Sequence, residues 1–187
     1  MELSRAICGE DTQCVEELEN LSSFLQNLDE VAQQLDPGPA DGVPLLLCVD
    51  LQRAREAARR YVTEEFVDYL IRRSLYFRYG GGEHNGKCSV CGAPASLVVL
   101  RREDAGIFEG YRGYARCVCG STWPLSLWRC LNCGAQGREN FEVYMLREGR
   151  LLKCSRCGYI FGEVEDTPNL QTLHIKFLLL IQKINLK

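Results

Sequence analysis

Four cysteine turns constrain this chain more than anything else in it. Cys88-Ser89-Val90-Cys91-Gly92, Cys117-Val118-Cys119-Gly120, Cys130-Leu131-Asn132-Cys133-Gly134 and Cys154-Ser155-Arg156-Cys157-Gly158 each offer two sulfurs from a single turn. A spacing of two residues lets both sulfurs of a turn reach one ion at about 2.3 Å, and two such turns complete a tetrahedral sulfur shell. The glycine behind each second cysteine can adopt the positive φ that reverses the chain, which lets nearby amide N–H groups point at the sulfurs and stabilise their negative charge. With 17 glycines in 187 residues, chance puts a glycine behind all four turns on the order of once in ten thousand. Redox dithiols come singly, at a strand-to-helix edge, whereas these four pairs alternate with β-hairpin patterns. The pattern therefore predicts metal binding.

Pairing the turns in sequence gives two sites, Cys88, Cys91, Cys117 and Cys119 in the first and Cys130, Cys133, Cys154 and Cys157 in the second. Only Val118 separates Cys117 from Cys119, which narrows that bite and puts one of the two thiolates in question as a ligand. Two metal ions are expected, and tetrahedral sulfur suits zinc and a rubredoxin-type iron equally. Each module is too small to bury a sufficient core, so the metal supplies a large share of its folding free energy. Cys8 and Cys14 lie outside any such motif, and Cys48, within Leu45-Leu46-Leu47-Cys48-Val49, reads as a small core residue.

The first half is helical in character. Val15, Leu18, Leu21, Phe24, Leu25, Leu28, Val31, Ala32 and Leu35 recur at steps of three and four, predicting one amphipathic helix over Asp11 to Leu35 that Asp36-Pro37-Gly38-Pro39 stops. A second long helix is predicted from about Asp50 to Arg78, with Ala54, Ala57, Ala58, Tyr61, Val62, Phe66, Leu70 and Tyr76 inside, so that the two form a helical hairpin. Gly80-Gly81-Gly82 breaks it. Beyond lie two predicted hairpins, Ser96 to Arg102 with Gly110 to Arg116, and Phe141 to Arg147 with Arg150 to Lys153 around a Glu148-Gly149 turn. Leu170 to Ile184 reads as a closing helix with a wide apolar face. The chain is thus α+β: a helical domain (1–82), two four-cysteine metal-binding β modules (83–126 and 127–165) and a C-terminal helix (166–187).

Charge and hydropathy narrow the function. Met1 to Asp36 holds nine acidic residues against one basic and should repel nucleic acid, while Glu83 to Glu165 has eleven basic against nine acidic, too slight an excess to mark a phosphate-tracking surface. Met1 to Gly9 has no basic segment followed by an apolar stretch, so reduced thiols in a cytoplasmic setting are expected. The longest apolar run, Phe177 to Ile181, is far short of the roughly 20 residues that span a bilayer. With His84 and His174 as the two histidines, no histidine cluster or nucleophile–base arrangement is available for catalysis.

Taken together, Arg116-Cys117-Val118-Cys119-Gly120-Ser121-Thr122-Trp123 and Trp128-Arg129-Cys130-Leu131-Asn132-Cys133-Gly134 resemble the formate dehydrogenase accessory protein family FdhE. Cys88 to Pro94, Cys154 to Tyr159 and the tail Asn169-Leu170-Gln171-Thr172-Leu173-His174 are similar to other motifs of that family, in the same order. The resemblance covers about Cys88 to Lys176. It implies a non-enzymatic, cytoplasmic assembly factor that contacts the catalytic subunit of formate dehydrogenase, or of a related molybdenum or tungsten oxidoreductase. It also implies two rubredoxin-like (zinc-ribbon) modules after the helical domain, iron as a metal and turn cysteines needed for partner binding. The chain departs from the family in its shortened second turn and in carrying Asn169 and Lys176 where acidic residues are expected. Two other readings stand beside it. One is a nucleic-acid-binding zinc ribbon using Arg101, Arg102, Arg112, Arg116 and Arg129, and the other is a rubredoxin-like electron carrier. Trp123 and Trp128 are expected to pack the two modules together.

Overall fold

A computed structural model describes residue 12 and residues 28–38, 42–104 and 109–185; Cys8, Cys14 and most of the predicted first helix lie outside these. The chain divides into two compact units, Met1–Gly80 and Gly81–Lys187.

In the first unit, α1 (Leu28–Ala32) buries Leu28, Val31 and Ala32. The predicted second helix is in fact two, α2 (Leu51–Ala58) and α3 (Glu64–Tyr79). Asp50 caps α2 by accepting the backbone N–H groups of Gln52 and Arg53 at 3.1 Å. The break falls at Tyr61-Val62-Thr63, where two β-branched residues lower helix propensity and Thr63 is extended (ψ 158°). Arg59 spans it, donating to both carboxylate oxygens of Glu64 at 2.7 and 2.9 Å. Ala54, Ala57 and Ala58 of α2 and Val67, Leu70, Ile71 and Leu75 of α3 are buried. Three longer-range bonds tie the layers: Tyr61 Oη to Glu30 at 2.5 Å, Arg78 to the Ala32 carbonyl at 2.7 Å and Tyr79 Oη to the Leu35 carbonyl at 2.9 Å. Cys48, expected in the core, is half-buried on a short 3-10 turn (Leu45–Cys48) none of whose residues is buried.

The second unit is built on one six-stranded sheet. After a small hairpin of β1 (Glu83–His84) and β2 (Lys87–Cys88) come β3 (Leu97–Asp104), β4 (Glu109–Arg116), β5 (Thr122–Leu125), β6 (Phe141–Leu146), β7 (Gly149–Cys154) and β8 (Ile160–Glu165). Their order in the sheet is β5-β4-β3-β8-β7-β6. The β3–β4 and β6–β7 pairs correspond to the two hairpins read from the sequence, but the turn of the second is Arg147-Glu148, with Gly149 already in the strand. β5 and β8 carry no clear sequence signal. β8 decides the architecture, because it runs antiparallel to β7 and parallel to β3, with Leu97 opposite Gly162 and Leu100 opposite Glu165. This seam joins the two hairpins into one surface.

The C-terminal helix α4 (Leu170–Asn185) closes the core, in which Leu97, Val99, Leu151, Ile160, Val164, Leu170 and Phe177 cluster. Phe177 is fully buried and sits so close to Gly162 that any β-carbon there would collide with its ring. Polar contacts fix the helix as well. Ser96 Oγ lies 2.7 Å from His174 Nε2, Arg116 donates to Gln171 at 2.8 Å, and Lys176 Nζ donates to Glu148 at 2.6 Å. His174 is therefore a packed, hydrogen-bonded core residue.

Candidate metal centres

Each cysteine turn closes by the same two backbone bonds. In the first, Gly92 N–H donates to Cys88 O (2.8 Å) and Cys88 N–H to Ala93 O (3.0 Å); the third and fourth repeat this through Gly134 and Ala135, and through Gly158 and Tyr159. All four glycines have positive φ, from 67° at Gly92 to 99° at Gly120, a region strained for residues with a β-carbon. The shortened turn keeps the scheme with one residue fewer: Gly120 N–H reaches Cys117 O (2.9 Å) and Cys117 N–H reaches Ser121 O (2.9 Å). The residue is lost from the tip alone, and Arg116 still pairs with Thr122 in the β4–β5 ladder.

The structure brings Cys88, Cys91, Cys117 and Cys119 into one cluster and Cys130, Cys133, Cys154 and Cys157 into another, the four sulfurs of each lying within 4.8 Å of one another. Both Cys117 and Cys119 belong to the first despite the narrow bite. Four sulfurs at about 2.3 Å from a common centre stand about 3.8 Å apart. In the second cluster Cys130 and Cys157 are separated by 3.7 Å and Cys133 and Cys154 by 3.8 Å, matching that edge. The first is tighter, with 3.4 Å between Cys88 and Cys119 and 3.2 Å between Cys91 and Cys117. Sulfur donors at these spacings fit a tetrahedral thiophilic ion, and the two clusters could each hold one.

Without an ion, the sulfurs of a cluster hold protons unequally. Hydrogen bonds from Cys117 and Cys119 drive the Cys91 thiol down, while Cys117, facing Cys119 and Cys88, is driven up. In the second cluster burial pushes the Cys130 thiol up to about 12. Burial acts the same way on Cys157, but the backbone N–H of Tyr159 and the three neighbouring sulfurs outweigh it and hold that thiol at about 7. Metal binding must displace such protons, so acid weakens it. Further donors face the sulfurs: Ser121 N–H stands 3.5 Å from Cys119 Sγ and Asn132 Nδ2 3.8 Å from Cys157 Sγ.

The surroundings include residues the sequence did not single out. Gly82 crosses the first cluster's turns, accepting from Ser89 N–H (3.0 Å), donating to Ser89 Oγ (2.9 Å) and accepting from Ser121 Oγ (3.5 Å). A β-carbon on neighbouring Gly81 would collide with Val90. The glycine run thus breaks a helix and also admits a strap over the cluster, a role invisible in composition. Trp123, on β5, borders a cleft of about 260 Å³ whose other side is Arg129 to Gly134, around the third turn. Trp128 instead stays within its own module, with φ 57°, its ring 6.1 Å from Phe141 and the Arg150 guanidinium 4.8 Å from its centre. Tyr159, stacked on Phe161, crosses between modules by donating to the Ala95 carbonyl at 2.8 Å.

No helix among the described residues is long and apolar enough to cross a membrane. No family model and no curated protein matches the chain. Among solved structures, its fold is similar to the crystal structure of the FdhE protein from Pseudomonas aeruginosa, at 15% sequence identity and a TM-score of 0.49, over 90% of this chain and 68% of that one.

Proposed function

We propose that this protein is an accessory factor that binds the catalytic subunit of formate dehydrogenase, or of a related molybdenum or tungsten oxidoreductase, during its maturation. In this reading it acts by binding, in the cytoplasm, through a surface held in shape by two metal ions, iron or zinc. The eight turn cysteines would hold the ions, which when bound cross-link distant turns. The carrying observation is that the motifs which resemble the accessory family fold into two four-cysteine clusters within one compact unit. The domain limits proposed are those of the sequence, 1–82, 83–126, 127–165 and 166–187.

The ribbon arginines weigh against nucleic acid as the partner. Arg101 pairs with Asp166 at 2.8 Å and lies over Tyr114, Arg112 pairs with Glu103 at 3.3 Å, and Arg116 donates to Gln171. A phosphate would have to compete with each of these contacts. The test is a pull-down of the tagged full chain from its native organism, with metal analysis of the same sample. Recovery of an oxidoreductase catalytic subunit with two metal equivalents is expected; recovery of none, under both reducing and oxidising conditions, refutes the proposal.

A further inference from the structure

We propose that the two metal centres differ in function: the Cys130–Cys157 centre exchanges its metal with soft, thiolate-like ligands from outside, while the Cys88–Cys119 centre is sealed. The inference rests on the reading above that both clusters hold metal. All four cysteines of the first cluster are buried, with Cys91 the most accessible at 8%. The Gly81-Gly82 strap, bonded to Ser89 and Ser121, lies across their turns. In the second cluster Cys130 and Cys154 are buried, but Cys133 and Cys157, one from each turn, are exposed. The cleft bordered by Lys87, Trp123, Arg129 and Asn132 reaches Cys130 and Cys133, so an incoming ligand has both a path and a reachable sulfur.

Exchange of this kind is a substitution without electron transfer. The entering thiol gives up its proton and takes a coordination position, and the departing Cys133 or Cys157 sulfur takes up a proton in return. At the second centre this needs no rearrangement of the fold. At the first it needs the strap to open, and every 1.4 kcal/mol or so of opening free energy slows exchange about tenfold.

The test loads the full chain with two equivalents of zinc and challenges it with excess 2,3-dimercaptosuccinate, a soft dithiol, following the zinc that leaves the protein by rapid desalting and metal analysis. One equivalent is expected to leave at least about tenfold faster than the other. In parallel, limiting iodoacetamide followed by peptide mapping should label Cys133 and Cys157 first among the eight cysteines, a measurement that needs no variant. Cys157→Ser should remove the fast equivalent and leave the slow one, and Gly81→Val, which wedges the strap against Val90, should accelerate the slow one. Release of both equivalents at one rate, or first labelling at Cys88, Cys91, Cys117 or Cys119, overturns the inference while two-site metal binding stands. A chain that takes up fewer than two equivalents overturns both.

Discussion

The seam between the hairpins can be tested by pairing one addition with one deletion. Gly162 is extended rather than left-handed, so alanine there would ordinarily favour folding by about 0.4–1 kcal/mol through the unfolded chain. In this fold the new β-carbon collides with the Phe177 ring and stands 2.7 Å from Leu97 Cδ1, an overpacking that costs typically about 1–3 kcal/mol. Phe177→Ala removes a fully buried ring at a cost of about 3–5 kcal/mol. Since the ring is the main obstacle at Gly162, its removal should leave Gly162→Ala nearly neutral, with only the flexible tip of Leu97 to shift. The double variant should therefore be about 1–3 kcal/mol more stable than the sum of the singles implies. Urea unfolding of the metal-loaded full chain, followed by near-ultraviolet dichroism, gives all four corners of the cycle. Strict additivity, or a stabilising Gly162→Ala in the parent, would refute the close approach of α4 to β8.

Two further expectations follow from the same geometry. Stripping metal with a strong chelator should abolish near-ultraviolet dichroism and protease resistance in residues 81–187, because structural ions in small thiolate modules contribute on the order of 10 kcal/mol or more; persistence of both would show that the metals are not structural. The Lys176–Glu148 pair should show in the pH dependence of stability: the bond from Lys176 lowers the Glu148 carboxyl below its ordinary value, so its contribution is present above the unfolded carboxylate pKa and is lost as pH falls through the folded one. Lys176→Met should therefore be less stable than the parent by up to about 1 kcal/mol near neutrality, with the gap in urea midpoint closing below about pH 4; a gap that persists unchanged in acid would refute the assignment.

The cysteine turns were legible because their physics is local. Two sulfurs and a left-handed glycine within five residues specify the same closure wherever they occur, and even the shortened turn at Cys117 obeys it. The long-range pairings were not. β8 is buried along nearly its whole length, including Glu163, whose carboxyl burial pushes up against the opposing pull of Arg150. A strand covered on both faces shows no alternation to read, and Gly162 in its middle argues for a bulge when the real reason is a phenylalanine from another element. β5 contains Pro124, which demotes a strand in sequence but is tolerated here because β5 is the sheet's edge. The break before Glu64 is hidden by apolar positions on both sides that keep the helical period.

The position of β8 also ties the second centre to the core. Cys154 ends β7, Cys157 stands just before β8, and β8 is bonded along its other edge to β3, which ends the segment leading from the first cysteine turn. An ion held at the second cluster fixes the turn that feeds β8, and with it the register of the parallel seam on which Ser96, and through it His174 of α4, depends. Lys176 of the same helix returns to Glu148 at the β6–β7 turn and so fastens α4 to the second hairpin. Metal binding at the more exposed cluster thus supports, through ordinary strand pairing, the seam and the helix that closes the core.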